Sequence, residues 1–390
     1  MFYGEKLRES RELHGLSRKE LAEKLEISEQ AVWQYENQYT VPKFDIINAL
    51  KKVLSVKPQF FYSDSFVKEV VSIDRIAYRS DDRDSRKKAK MELNYINYVN
   101  HFITYFEKSL AIPNQSIYSL KAKAEDKLFR NNKSHASNEK SIKDVALLAR
   151  KQLNVEHNKD LLYKLELSGI YILEKNMGLS IDAYSTWTND NVPFIVLGTQ
   201  KKSSVRRNFD LAHELGHLLM HGDIDMDGLT KEELRQVEKE ANDFASFFLL
   251  PEENFVTDFH SISKKSNPDS YIDLKMKYHV SIAAMEYRAY KLNLLTFEEN
   301  RYFYSALNRL NYKKIEPLDE DIPVIKPGKI RALLKLIFEN HLLILDTELE
   351  NFSIERTFLE SLFGIDDQML KQYEDQTRLD YFGDKVISLY

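Results

Sequence analysis

The sequence predicts a multidomain, mostly helical α+β protein. Three observations predict it: a length too great for one core, long stretches with apolar residues at helical spacing, and only one short region with strand character. At 390 residues the chain exceeds what a single core usually supports, so two or three domains are expected. Hydrophobic residues make up 43% of it, the share of a globular protein. Charged residues make up 30% and nearly cancel to a net charge of -5, which excludes a basic nucleic-acid arm or an acidic solvating tail. Any contact with DNA must therefore be local. Cysteine is absent, so disulfides, thiolate metal sites and a cysteine nucleophile are excluded. The N-terminus, MFYGEKLRES, is charged from its fifth residue and lacks the apolar segment of a secretory signal. No run reaches the roughly 18 apolar residues that span a bilayer. A cytoplasmic location and no membrane partner are the expectations.

Residues 1–63 read as a bundle of short helices. Leu7, Leu13, Leu16, Leu21, Ala22, Leu25, Ile27, Val32 and Tyr35 form its inward set. Gly15 closes the first helix, and Ser17 with Glu20 spells a capping box that opens the second. Ser28 can cap a third helix running to Asn37, and Pro42 precedes a fourth over Asp45 to Leu54. Residues 64–139 are a linker followed by a helical region. Their most polar part is RSDDRDSRKKAK, and aromatic stripes at Met91 to Ser109 and Ile117 to Phe129 read as helix packing.

A third domain is expected over 140–294: helices at Ile142 to Leu153 and Leu161 to Leu167, then strands at Ile170 to Glu174, Ser180 to Trp187 and Phe194 to Leu197. Strong helices follow at Arg207 to His221 and Lys231 to Leu250, the latter stopped by Pro251. Residues 295–390 form a mostly helical fourth region, interrupted by EPLDEDIPVIKPGK, whose prolines favour an extended crossing.

The chemistry lies in HELGH, residues 213–217. On a helix, His213 and His217 stand one turn apart on one face, about 6 Å in rise, so both imidazoles can reach one ion. Glu214 is turned by about 100° from His213 and can sit beside a water rather than ligate. Leu211, Leu215, Leu218 and Leu219 form the apolar back of the helix, and Gly216 leaves room beside the rings. A zinc site needs a third protein ligand. His221 continues the series but lies about 12 Å along the helix from His213, so it reads as structural. Both Glu238 and Glu240 flank the apolar stripe of the next helix, Val237, Ala241, Phe244, Ala245 and Phe248, and periodicity does not choose between them.

The text SSVRRNFDLAHELGHLLMH with EKEANDFASFFLLP resembles the ImmA/IrrE family of metallopeptidases, as do the strands LSIDAYSTW and PFIVLG; the resemblance covers about residues 140–290. It implies a zinc site of His213, His217 and Glu240, the glutamate directly before Ala-Asn, with Asp243 as a hydrogen-bonding partner behind a ligand histidine. Such a site would lower the pKa of a water, with Glu214 as the catalytic base. The segment LSRKELAEKLEISEQAVWQYENQYTVP resembles the XRE, or Cro/phage-repressor, helix-turn-helix family. By that resemblance Glu29, Gln30 and Gln34 face base edges of double-stranded DNA, and Arg18, Asn37 and Tyr39 fall where the family touches phosphates. Gln38 stands where that family usually has glycine. Modules of this kind usually bind as dimers, which leaves room for a homodimer.

Together the two resemblances imply a site-specific zinc endopeptidase tied to an operator, cleaving a repressor or antitoxin-like regulator to switch stress or mobile-element genes. The alternative is a regulator in which the zinc fold senses or scaffolds and cuts nothing. An intact Glu214 favours the enzyme, because a scaffold has no need of it.

Overall fold

The computed structural model describes residues 1–72, 83–133, 137–178, 182–200, 203–226, 228–366, 368–374 and 387–388. Part of the expected polar linker, 73–82, lies outside the described residues, as does the start of the strand expected from Ser180. Among the described residues no helix is long and apolar enough to cross a membrane. The chain divides into two compact units: Met1–Asn114 with Thr188–Asp190 and Lys329–Tyr390, and Gln115–Trp187 with Asn191–Gly328.

The first unit opens with four helices, α1 (Gly4–Leu13), α2 (Arg18–Lys24), α3 (Glu29–Glu36) and α4 (Phe44–Leu54). The capping box at Ser17 and Glu20 is formed, and Ser28 accepts from the Ala31 amide to start α3. Leu7, Leu21, Ala22, Leu25 and Val32 are buried, while Leu13, Leu16, Ile27 and Tyr35 are half-buried. Gly4 is required by packing: a Cβ there would lie 2.2 Å from the Tyr35 carbonyl oxygen. Gln38 takes the left-handed conformation, φ 61°, so the backbone keeps the shape of the glycine this position usually holds.

The helix α5 (Arg83–Glu107) starts before the expected Met91 and presents Tyr95, Tyr98, Val99, Phe102 and Phe106 to the core. The C-terminal helices α15 (Lys329–Glu339), α16 (Leu345–Phe352) and α17 (Arg356–Phe363) complete this unit. A bridge pairs Val56 with Ile354, and the Phe358 ring lies 6.3 Å from that of Phe60 and 6.2 Å from that of Tyr98. A short parallel pair joins β1 (Leu110–Ala111) to β5 (Ile387–Ser388).

The second unit holds the helices α6 (Ser116–Lys133), α7 (Asn138–Gln152), α8 (Leu161–Ser168), α9 (Ser204–Met220), α10 (Lys231–Leu249), α11 (Glu252–Phe259), α12 (Ile272–Tyr278), α13 (Ile282–Lys291) and α14 (Phe297–Arg309). Its sheet has the order β2 (Tyr171–Lys175), β4 (Pro193–Gly198), β3 (Ala183–Trp187). The β2–β4 pair is parallel and the β3–β4 pair antiparallel, which leaves β3 at an edge. The boundaries expected at 139/140 and 294/295 therefore differ from the edges of the units. The helix α6 packs on α7 and α9, and the C-terminal region divides between the two units.

The C-terminal helices thus belong to the core that carries the N-terminal bundle. Phe358→Ala is expected to destabilise the first unit by about 3–5 kcal/mol, the usual cost of emptying a buried phenylalanine site. Hydrogen exchange should show the loss of protection in α1, α5 and α17; unchanged protection in α1 would count against the shared core.

Candidate metal centre and helix-turn-helix

The apolar side of α9 is Leu211, Leu215, Leu218 and Leu219, all buried in the core of the second unit. The helix α10 starts at a capping box formed by Thr230 and Glu233. It lays Ala241, Phe244, Ala245 and Phe248 into the same core. Gly216 is where the two helices meet, because a Cβ at Gly216 would lie 3.0 Å from the Phe244 ring. The glycine therefore serves the contact between helices rather than space beside the histidines.

This packing brings together three groups of the kind that ligate metals. The Nε2 atoms of His213 and His217 are 3.0 Å apart, and a Glu238 carboxylate oxygen lies 3.5 Å from each. A tetrahedral zinc site with bonds of about 2.0–2.1 Å has ligand–ligand edges of about 3.3–3.4 Å, so the three groups fit one such ion. Among the described residues this is the one group of three or more His and acidic side chains gathered closely enough to hold a metal.

The carboxylate at this position is Glu238, not Glu240. Glu238 and Asn242 are four residues apart on one face of α10, and both reach His213. Asn242 Oδ1 lies 3.0 Å from His213 Nδ1, which turns the other ring nitrogen, Nε2, towards the cluster. Glu240 is rotated about 200° from Glu238. It meets His221 Nε2 at 3.1 Å and accepts hydrogen bonds of 2.7 Å from both Asn138 and Gln236. Burial alone would push the Glu240 carboxyl up, but those hydrogen bonds outweigh it and hold the group down at about 2. His221 stands behind His217, with the two Nδ1 atoms 3.0 Å apart, and its burial pushes its own pKa down.

Asp243 lies in a separate cleft with Lys239, Ser246, Arg288 and Lys291, where burial pushes its carboxyl up. Asn242 takes the place behind a ligand histidine that the family resemblance assigned to Asp243. Glu214 is buried on α9, and Ser185 on the edge strand β3 donates to its carboxylate at 2.7 Å. Neither Ser185 nor Asn242 stands out in the sequence as part of the site. The polar alternation of AYSTW is the one signal that points to Ser185.

In the first unit, Glu29 and Gln30 are exposed at the start of α3 and Gln34 is half-buried one turn on. Tyr39 is exposed and stacks on Trp33 with 5.1 Å between ring centroids, and Asn37 donates to the Trp33 carbonyl at 2.8 Å. Arg18 is already engaged within the protein: its Nε donates to Glu36, as does that of Arg11, both at 2.5 Å.

Fold and site define a DNA-binding type of helical module followed by a domain of metallopeptidase type. Residues 7–61 match the helix-turn-helix family model, and residues 165–290 match the peptidase M78 model, the IrrE N-terminal-like domain. The chain therefore carries an XRE-type helix-turn-helix and an ImmA/IrrE-like domain, in that order. No curated protein matches the chain.

Glu238→Gln is expected to weaken zinc affinity by at least about 100-fold, measured by competition with a chromophoric chelator. Retention of wild-type affinity would remove Glu238 from the ligand set.

Proposed function

We propose that the chain is a zinc-dependent endopeptidase of narrow specificity, tied to DNA through its helix-turn-helix, that cleaves a transcriptional repressor or a similar regulatory protein. The observation that carries this reading is the meeting of His213, His217 and Glu238 while Glu214, on the same helix, is held by Ser185. Zinc bound there would supply Lewis acidity and a water made acidic enough to deprotonate near neutral pH. Glu214 would accept that proton and return it to the leaving amine. Ser185 fixes the rotamer of Glu214, so the base is placed before substrate arrives. An extended peptide could add to the outer side of β3, whose other side pairs with β4, and so pass beside Glu214.

The helix-turn-helix supports a DNA-binding regulator, and α3 is the element offered to the major groove. The amides of Gln30 and Gln34 suit adenine, whereas Glu29 disfavours phosphate. Control of stress or mobile-element genes is the biological setting this reading assigns.

Two outcomes test the two halves. Glu214→Gln should keep zinc within about twofold yet lose about 10³-fold or more in cleavage of the repressor protein, followed as a defined fragment on a gel. If the variant cuts as well as the wild type, or if the zinc-loaded wild type cuts no such regulator, the peptidase reading fails. Gln30→Ala should cost about 1–3 kcal/mol on a DNA site selected from a random pool and relax base preference there. Equal binding by anisotropy on every sequence would reject α3 as the reader.

A further inference from the structure

We propose that His221 and Glu240 form a relay that positions the ligand histidine His217, so that the glutamate nearest Ala-Asn acts on the metal through two imidazoles rather than by touching it. The inference rests on the reading that His213, His217 and Glu238 hold the ion. His217 turns Nε2 towards His213 and Glu238, so its remaining nitrogen, Nδ1, is the one that faces His221 at 3.0 Å. Two imidazole nitrogens at that distance can share only one proton. For the Nε2 lone pair of His217 to be free for a metal, the ring must carry its proton on Nδ1 and donate it. His221 must then accept at Nδ1 and carry its own proton on Nε2. There it meets Glu240 Oε2 at 3.1 Å, an oxygen that can only accept when the carboxylate is ionised.

The far end of the relay is fixed as well. The other oxygen of Glu240 accepts from Asn138 at 2.7 Å and from Gln236 at 2.7 Å, so the carboxylate is gripped from α7 and from its own helix. His221 is 4% exposed, so these hydrogen bonds are made out of reach of bulk water. Each tautomer in the series is therefore set by the next group, and the series ends on a charge. His213 is handled differently, with a neutral amide, Asn242, directly behind it. The two ligand imidazoles are thus unequal: the carboxylate at the end of the relay draws on the His217 proton and makes its Nε2 the stronger donor of the pair.

The test uses the full-length chain, with zinc affinity from chelator competition and the visible spectrum of the cobalt(II)-loaded protein as readouts. His221→Ala should weaken zinc about 10- to 100-fold. His221→Asn, whose Oδ1 can stand where Nδ1 stood, should recover most of that loss. Glu240→Gln should lose about three- to tenfold and keep a tetrahedral cobalt spectrum, since Gln still accepts but carries no charge. Glu238→Gln should lose far more and change the spectrum. Zinc affinity within about twofold of wild type in His221→Ala or in Glu240→Gln overturns the relay. A different result overturns the ligand set beneath it: Glu240→Gln abolishing zinc and altering the cobalt spectrum while Glu238→Gln keeps both. Should His221→Ala not fold, Glu240→Gln decides the matter by the same readouts.

Discussion

The meeting of His213, His217 and Glu238 depends on α10 lying closely on α9. Gly216 lets the Phe244 ring lie close against α9, and a Cβ there, 3.0 Å from that ring, would oblige the ring to give by a few tenths of an ångström. The helices are held by buried Leu211, Leu215, Leu218, Phe244 and Phe248, each contributing about 1.5–3 kcal/mol by removal from water. That apolar contact brings two imidazoles and a carboxylate, which do not attract one another without an ion or a shared proton, into one place. A small outward shift of α10 would carry Glu238 and Asn242 away together, because both reach His213 from the same face.

The start of α9 is secured by a different kind of interaction. Lys275 is fully buried, and its ammonium donates to Glu316 at 3.0 Å and to Asp319 at 2.7 Å. Asp319 also accepts from Ser203, at the N-terminal end of α9, and Glu316 accepts from the Ile282 and Ala283 amides that open α13. Buried charge is tolerable only when its hydrogen bonds are met, and here the two carboxylates are met by an ammonium, a hydroxyl and backbone amides. The proline-interrupted segment is thus more than an extended crossing: its acidic start straps α9, α12 and α13 together. Arg206 adds to the strap by donating to the Tyr312 and Lys313 carbonyls.

What can be read in the sequence is what is local. Ser17 with Glu20, Ser28, and the pair His213 and His217 are all set by spacings of three or four residues along one helix; both caps are formed, and the two Nε2 atoms lie 3.0 Å apart. Glu238 and Glu240 cannot be told apart by pattern, because both flank the same stripe and the choice depends on which side of α10 meets α9. The same limit hides Asn242 behind the more conspicuous Asp243, and hides Ser185, which reaches Glu214 across 29 positions of chain. The union of α15, α16 and α17 with the N-terminal bundle lies further beyond local pattern. Its pairings, Val56 with Ile354 and Phe60 with Phe358, join residues from opposite ends of the chain.

The helix-turn-helix shows how internal electrostatics limit what its surface can offer. Glu36 is buried and takes one guanidinium on each carboxylate oxygen, from Arg11 and from Arg18. Losing either arginine would leave one oxygen of a buried carboxylate without its charge-assisted hydrogen bond, so both contacts serve the fold. Arg18 reaches the surface, with its side chain 37% exposed, but Glu36 already neutralises part of its charge. With Glu29 opening α3, the reading helix presents amides and an acid more than positive charge. On the reading proposed above, Gln30 and Gln34 would supply base contacts from α3 itself, and cations for phosphate would have to come from outside it, as from exposed Lys19 and Lys43.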